Sequence, residues 1–403
     1  MWAEANDVRW IPVGEVGEVR MGKQLSPSSR SAGGHYPYLR VANVLDGRID
    51  YSDVNTMGFS PAERQTYGLV PGDILLNEGQ SLELVGRSAI YEREAGEFCF
   101  QNTLVRFRPG VDVLPKYAQA MFKRWLDIGV FAGIAKKTTS IAHLGGDRFA
   151  RLLFPLISLE RQQRIVEALD AITESERAVE ASIAKLRPLR AAFLAELTTY
   201  DRDHLVDVIV SGPQNGLYKP AEAYGETGFP IVRISSFSGG PSDLTRGLLR
   251  VAASPVEAKR YGISVGDLLV NRVNTPELVG KATVVSRLDE PTLFESNIMR
   301  CGLAVEKIDP RFVEAWMSTS VVKSYFASRT KPAVSQASVN RSDVLACPLP
   351  RIGITGQQEF LSRLEAIDAR MGQETAELVK LRTLKQGLAD DLLSGRVRVG
   401  DVA

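Results

Sequence analysis

Two stretches of this chain carry the same long apolar register, and they limit what it can fold into. From Ile165 the positions Leu169, Ile172, Glu176, Val179, Ile183, Leu186, Arg190, Phe193 and Leu197 follow at alternating steps of four and three. Starting 195 residues later, Phe360, Leu364, Ile367, Met371, Glu374, Leu378, Leu381, Lys385, Leu388 and Leu392 repeat the steps, with eight of ten positions apolar in each copy. A 4-3 repeat sustained this far keeps one narrow stripe facing a partner helix and predicts a coiled-coil seam. At 1.5 Å per residue each helix would be about 50 Å long. The residues between seam positions are mostly charged or polar, which disfavours burial of both helices inside a larger core. Glu176, Glu374, Arg190 and Lys385 break the stripe, either to fix its register or to mark where other helices dock.

The duplication extends beyond the helices. Gly72-Asp73 returns as Gly266-Asp267, Glu83-Leu84-Val85-Gly86 as Glu277-Leu278-Val279-Gly280, and Pro37-x-x-Arg40 as Pro230-x-x-Arg233. Asn102 pairs with Asn297, Pro115 with Pro310, Pro155-Leu156 with Pro348-Leu349 and Gln162-Gln163 with Gln357-Gln358. Offsets that stay between 193 and 195 describe two tandem units. The expected architecture is α+β: two tandem globular domains separated by a long antiparallel two-helix coiled-coil spacer, a pseudo-two-fold internal repeat. The domain reading is 1–150 for the first globular domain, 151–200 for a central spacer helix, 201–350 for the second globular domain, and 351–403 for the C-terminal spacer helix and tail.

Within the first domain, strands are expected at Val13–Val19, Tyr36–Val41, Ile74–Leu76, Val85–Tyr91 and Phe98–Phe107. A helix is expected over Pro115–Ile128, with Tyr117, Met121, Phe122 and Trp125 on one face, and a polar loop over 132–147. Pro188 predicts a kink in the first long helix, where the second has Thr383.

Composition narrows the class. Three scattered cysteines, Cys99, Cys301 and Cys347, have neither disulfide-framework nor zinc-site spacing and suit a reducing cytoplasm. No apolar run reaches the roughly 20 residues of a membrane span, and Met1-Trp2-Ala3-Glu4 lacks the features of a signal peptide. A net charge of +1 means that a nucleic-acid surface would have to be basic locally.

Catalytic patterns are missing where they would be needed. Gly17-x-x-x-x-Gly22-Lys23-Gln24 has Gln where a phosphate loop requires a Ser or Thr hydroxyl for magnesium. Phe237-Ser238-Gly239-Gly240 lacks the Asn-Pro-Pro or Asp-Pro-Pro string of an amino-methyltransferase and reads as a turn. Asp73 and Glu78 have no Lys at nuclease spacing, and Asp73 sits in a turn. The expectation is a chain with no catalytic residues, no metal site and no cofactor of its own.

Polar residues that recur at equivalent places are more informative. Lys and Arg neutralise phosphates, while Arg, Asn and Gln read base edges. The DNA-binding candidates are Lys136, Lys137, Thr138, Thr139 and Ser140, answered in the second half by Arg329, Lys331 and Ser335. Asn77 is answered by Asn271, Arg272 and Asn274; Arg87 by Lys281; and Arg40 by Arg233. Asn43 and Ser235 flank the last pair.

Taken with Leu384-Lys385-Gln386-Gly387-Leu388 and Asp391-Leu392-Leu393-Ser394-Gly395-Arg396-Val397, these features resemble the specificity (S) subunit of type I restriction-modification systems over nearly the whole chain. The resemblance implies two target-recognition domains that each read one half of a split, asymmetric double-stranded DNA site, with the paired helices as spacer. It further implies two methyltransferase (modification) subunits and restriction subunits as partners. S-adenosylmethionine, ATP and magnesium would sit on those partners, in the cytoplasm. The alternatives are a specificity subunit of another multi-subunit modification or phage-defence system, a coiled-coil protein-binding scaffold, and an enzyme with an unrecognised site.

Overall fold

The computed structural model describes residues 8–26, 35–138, 141–332 and 337–397, with backbone only for Lys331–Pro332. It divides into two compact units: residues 1–179 with 377–403, and residues 180–376. The division passes through both long helices, Leu159–Ala195 and Ile354–Ser394, so each unit holds one stretch of each helix.

Each unit is built on a four-stranded antiparallel sheet. In the first unit the strands run Gly17–Met21, Leu104–Pro109, Ile74–Asn77, Ser88–Ile90 in spatial order. In the second the order is Ile209–Asn215, Ile298–Leu303, Leu268–Asn271, Ala282–Val284. The strands Ile74–Asn77 and Leu268–Asn271 are apolar at every residue before the terminal Asn because both faces are covered. Ile74 and Leu76 enter the core under the helix Pro115–Asp127, while Leu75 joins Leu39, Phe100 and Leu104 on the other face. Leu268 and Val270 likewise pack with Phe312 and Trp316, and Leu269 with Val232 and Phe294. This is the period-two alternation of a strand applied to two cores.

The remaining sheets also repeat. Arg9–Pro12 pairs with Leu153–Leu156, and Arg202–His204 with Pro348–Pro350, so both Pro-Leu strings are strands that lead into a long helix. The Gly of each Glu-Leu-Val-Gly string is required by geometry. Gly86 and Gly280 have φ of +84° and +79°, and a Cβ there would stand 2.3 and 2.4 Å from the rings of Phe131 and Phe326.

Several local expectations change. Val13–Val16 is a helical turn between the strands Arg9–Pro12 and Gly17–Met21, because Val13 and Val16, three apart, enter one core. Of Val85–Tyr91 only Ser88–Ile90 pairs as a strand, after the Gly86 turn. Phe98–Phe107 is two strands, Cys99–Phe100 and Leu104–Pro109. The 132–147 segment is not a simple loop: it takes in the end of the helix Val130–Ile134 and a small hairpin. The helical run of Leu159–Ala195 continues through Pro188.

Within each unit the stretches of the two long helices pack against each other in antiparallel sense. In the second unit Ser182 meets Glu374 and Arg190 meets Asp368; in the first Glu176 meets Lys385. All twenty seam positions are buried or half-buried, while most of the residues between them are exposed. Two equivalent glutamines pin each helix start. Gln162 Nε2 donates to the carbonyls of Asp112 and Ile157 at 2.8 and 2.9 Å, and its Oε1 accepts from Leu114 N at 2.8 Å. Gln357 repeats this with Ile352 O, Lys307 O and Asp309 N.

Candidate nucleic-acid interface

The basic loops expected to contact DNA form the outer arms of two matching three-stranded sheets. In the first unit Lys136–Lys137 pairs with Ala142–His143, which pairs with Gly79–Gln80. In the second, Lys331–Pro332 pairs with Ala337–Ser338, which pairs with Val273–Asn274. Lys136, Lys137 and Thr138 are exposed on the first of these arms. Thr138 closes the tip: its N–H and its Oγ1 both donate to Ile141 O, at 2.8 and 2.9 Å. Thr139, Ser140 and Ser335, the side chain of Lys331, and Met1–Glu4 lie outside the described residues.

The base of this small sheet is made the same way in both units. Glu78 N donates to Thr103 O and Leu144 N donates to Glu78 O, at 2.9 and 2.8 Å. Arg272 N donates to Asn297 O and Val339 N to Arg272 O, at 2.9 and 3.0 Å. Asn77 N donates to Arg87 O and Gly86 N to Asn77 O, and Asn271 does the same with Lys281 and Gly280.

That framework corrects three of the expected contacts. Asn77 and Asn271 are 0% exposed and Asn43 is 2% exposed, so none of these side chains reaches a base edge. Asn43 organises its loop: Nδ2 donates to the carbonyls of Asp50 and Asp53, both at 2.9 Å, and Oδ1 accepts from Arg40 N. Asn77 Nδ2 donates to Val44 O at 3.3 Å. Asn recurs at the two strand ends as an internal residue.

The other candidates fall into three groups. Arg272 and Asn274 stand at the hairpin sheet, and the exposed Arg329 just precedes it, its guanidinium 3.7 Å from the centre of the Tyr325 ring. Arg272 Nη1 donates to Ser296 O at 3.3 Å, and Asn274 Oδ1 accepts from Thr275 N at 2.8 Å. Arg40 and Arg233 instead directly follow the strands His35–Leu39 and Phe229–Val232. Arg40 pairs with Asp53 at 2.7 Å; Arg233 pairs with the buried Glu295 at 3.1 Å and lies over Tyr224, with Ser235 exposed beside it. Arg87 lines a cavity with Asp46, Leu84, Lys123 and Asp127, next to the helix Pro115–Asp127. Lys281 Nζ lies 5.3 Å from the centre of the Phe237 ring, and burial holds its pKa below the usual lysine range.

The hairpin sheets also hold residues that the sequence pattern did not mark. Gln80 is the equivalent of Asn274, and its Oε1 accepts from Ser81 N as Asn274 Oδ1 accepts from Thr275 N. His143 Nδ1 lies 3.0 Å from Glu78 Oε2, and His143 stands directly opposite Lys136 in the hairpin. The recurring amide at 80 and 274 was the available signal. Lys23, by contrast, is half-buried and already partnered: it pairs with Glu63 at 2.7 Å and donates to Gly58 O, and the ion pair is repeated by Lys219 and Glu257.

The chain is thus a duplicated α+β unit in which each copy carries a small hairpin sheet and leads into a long helix. Residues 6–186 match the family model of the type I restriction modification DNA specificity domain. The match takes in the globular part of the first unit and most of the helix Leu159–Ala195. The putative type I restriction enzyme MjaX specificity subunit of Methanocaldococcus jannaschii is 23% identical over 167 residues, which is 41% of this chain and 39% of that protein. The match thus spans about two fifths of the relative's length. Among solved structures, a chain of a type I restriction-modification assembly has a TM-score of 0.64 at 13% identity, covering 96% of this chain and 98% of that one. The type I S subunit from M. genitalium gives 0.52 at 15%, over 96% and 97%, and the HsdS subunit from Thermoanaerobacter tengcongensis 0.52 at 14%, over 98% and 100%. The chain therefore has the fold of these subunits along nearly its full length.

Proposed function

We propose that this chain is the DNA-sequence-recognition subunit of a type I restriction-modification complex. The observation that carries the proposal is the repeated hairpin sheet. Both units present a basic two-stranded arm beside an amide side chain, Gln80 or Asn274, on one hydrogen-bonded frame. Phosphate contacts by Lys136, Lys137 and Arg329 would set register, and side chains at the sheet edge would read base edges. Two units with different side chains on a common frame suit two different half-sites of an asymmetric site.

In this reading the chain is a non-catalytic subunit. Two methyltransferase subunits would supply S-adenosylmethionine and restriction subunits ATP and magnesium, in the cytoplasm. The two long helices act as an antiparallel coiled-coil spacer between the target-recognition domains 1–150 and 201–350. The burial of the seam positions against exposed flanks supports that role.

The spacer gives a test. Seven residues inserted into each long helix preserve the 4-3 register and add about 10 Å. At about 3.4 Å per base pair, the gap between half-sites should widen by about three base pairs. Both half-site sequences should stay the same. A complex that keeps the original gap, or that changes a half-site, contradicts the proposal.

A further inference from the structure

Position 78 in the first unit and position 272 in the second share one backbone environment and carry opposite chemistry. Each donates its N–H to a turn carbonyl, Thr103 or Asn297, and each accepts from the residue that closes the hairpin, Leu144 or Val339. Each directly follows the buried Asn that ends the central strand. Side chains attached at this position leave the same place on the same frame, so only their chemistry distinguishes the units. One is a carboxylate and the other a guanidinium.

Both side chains keep free hydrogen-bonding capacity at the foot of the basic arm. Glu78 is 14% exposed at its side chain, its Oε2 is engaged by His143, and its Oε1 has no hydrogen-bond partner among the described residues. His143 faces Lys136 across the hairpin, so the carboxylate stands beside the cationic arm. Arg272 is half-buried and donates from Nη1 to Ser296 O. Its Nη2 has no partner among the described residues.

We propose that positions 78 and 272 are one base-reading position used twice, with Glu78 selecting cytosine and Arg272 selecting guanine. A carboxylate can accept from the cytosine amino group and has nothing to donate to the acceptors of guanine. A guanidinium can donate to guanine O6 and N7 together. This inference rests on the DNA-reading function proposed above and adds to it where the two half-sites diverge. The competing role for Glu78 is purely structural, a lock that holds the hairpin through His143.

The experiment uses the chain assembled with its methyltransferase subunit. Relative affinities are measured for a set of duplexes that carry the recognised site with each base pair changed in turn. Glu78→Arg should move one position of one half-site from cytosine towards guanine, by tenfold or more, and leave the other half-site unchanged. Arg272→Glu should do the reverse in the other half-site. His143→Ala removes the lock and keeps the carboxylate, so it should weaken binding evenly and retain the cytosine preference. Glu78→Gln serves as the isosteric control: it should reduce the preference at that position alone. Unaltered preferences in a folded Glu78→Arg complex overturn the inference. So does a His143→Ala complex that shifts preference as Glu78→Arg does. A wild-type complex with no sequence preference at all overturns the proposed function itself.

Discussion

Lys385 and Glu176 meet between the two long helices within the first unit, Nζ to Oε2 at 2.8 Å, with Glu176 only 13% exposed. Both occupy positions where the apolar seam is interrupted, and the interruptions answer each other. In the second unit Arg190 pairs with Asp368 and Glu374 accepts from Ser182 and Arg370. The charged seam positions are thus partnered inside the helix pair, in the register-setting role that polar seam residues take.

Glu176→Ala leaves a half-buried ammonium without its partner and should cost about 1 kcal/mol, more than a surface ion pair would. Thermal or denaturant unfolding of the single variants and of Glu176→Ala with Lys385→Ala forms a double-mutant cycle. The double variant should lose less than the two singles added together. Strict additivity would show that the contact does not couple the helices.

Gln162 fastens the start of the first long helix to the segment before the helix Pro115–Asp127 through three hydrogen bonds, and is 0% exposed. Gln162→Ala removes the partner of two carbonyls and one N–H, at about 1 kcal/mol for each. The expected loss is about 3 kcal/mol in unfolding free energy. Gln162→Glu should also destabilise, because a carboxylate would then face two carbonyls. Gln357→Ala should behave in the same way in the second unit, from which Gln162 variants should be separable by hydrogen exchange.

Glu314 is buried beneath the second sheet, where its Oε1 accepts from Thr283 Oγ1 and Val284 N at 2.9 and 2.8 Å. Burial raises its pKa above the ordinary 4.5. The folded state therefore holds a proton that the unfolded chain releases. This costs nothing well below pH 4.5 and makes stability fall as pH rises from 4.5 through the folded pKa. Glu314→Gln keeps an acceptor and removes the titration, and the first unit already has Gln119 at the equivalent position. The variant should match or exceed the wild type in melting temperature at pH 7, with the difference shrinking towards pH 4. A variant that is less stable at every pH would contradict this.

Lys136 and Lys137 sit exposed on the hairpin arm of the first unit. If they meet phosphates, Lys136→Ala with Lys137→Ala should weaken binding to every duplex by a similar factor. The slope of log affinity against log salt should fall by about 2, near 0.9 for each phosphate contact. An unchanged slope would remove these lysines from the interface.

The helices were legible because a heptad seam repeats over many residues and needs no tertiary information. The duplicated plan was legible because Gly86 and Gly280, Pro155 and Pro348, and Gln162 and Gln357 each do local work that no other residue type does as well. The hairpin sheets were not: strands of two residues, such as Gly79–Gln80, have no period to detect. Asn77 and Asn271 misled because recurrence does not report exposure, and their burial depends on residues far away in sequence. Glu78 was passed over because its setting, bonded to His143 and equivalent to Arg272, exists only once the sheet is formed.

The measurement that bears most directly on sequence recognition is a methylome. The chain is co-expressed with its methyltransferase subunit in an unmethylated host, and N6-methyladenine is mapped by long-read sequencing. A split, asymmetric motif with a fixed gap is the expected result, with one half-site altered by variants in the 136–143 hairpin and the other by variants in the 331–338 hairpin. An assembled complex that leaves the genome unmethylated, or a motif that both hairpins' variants leave intact, would contradict the account.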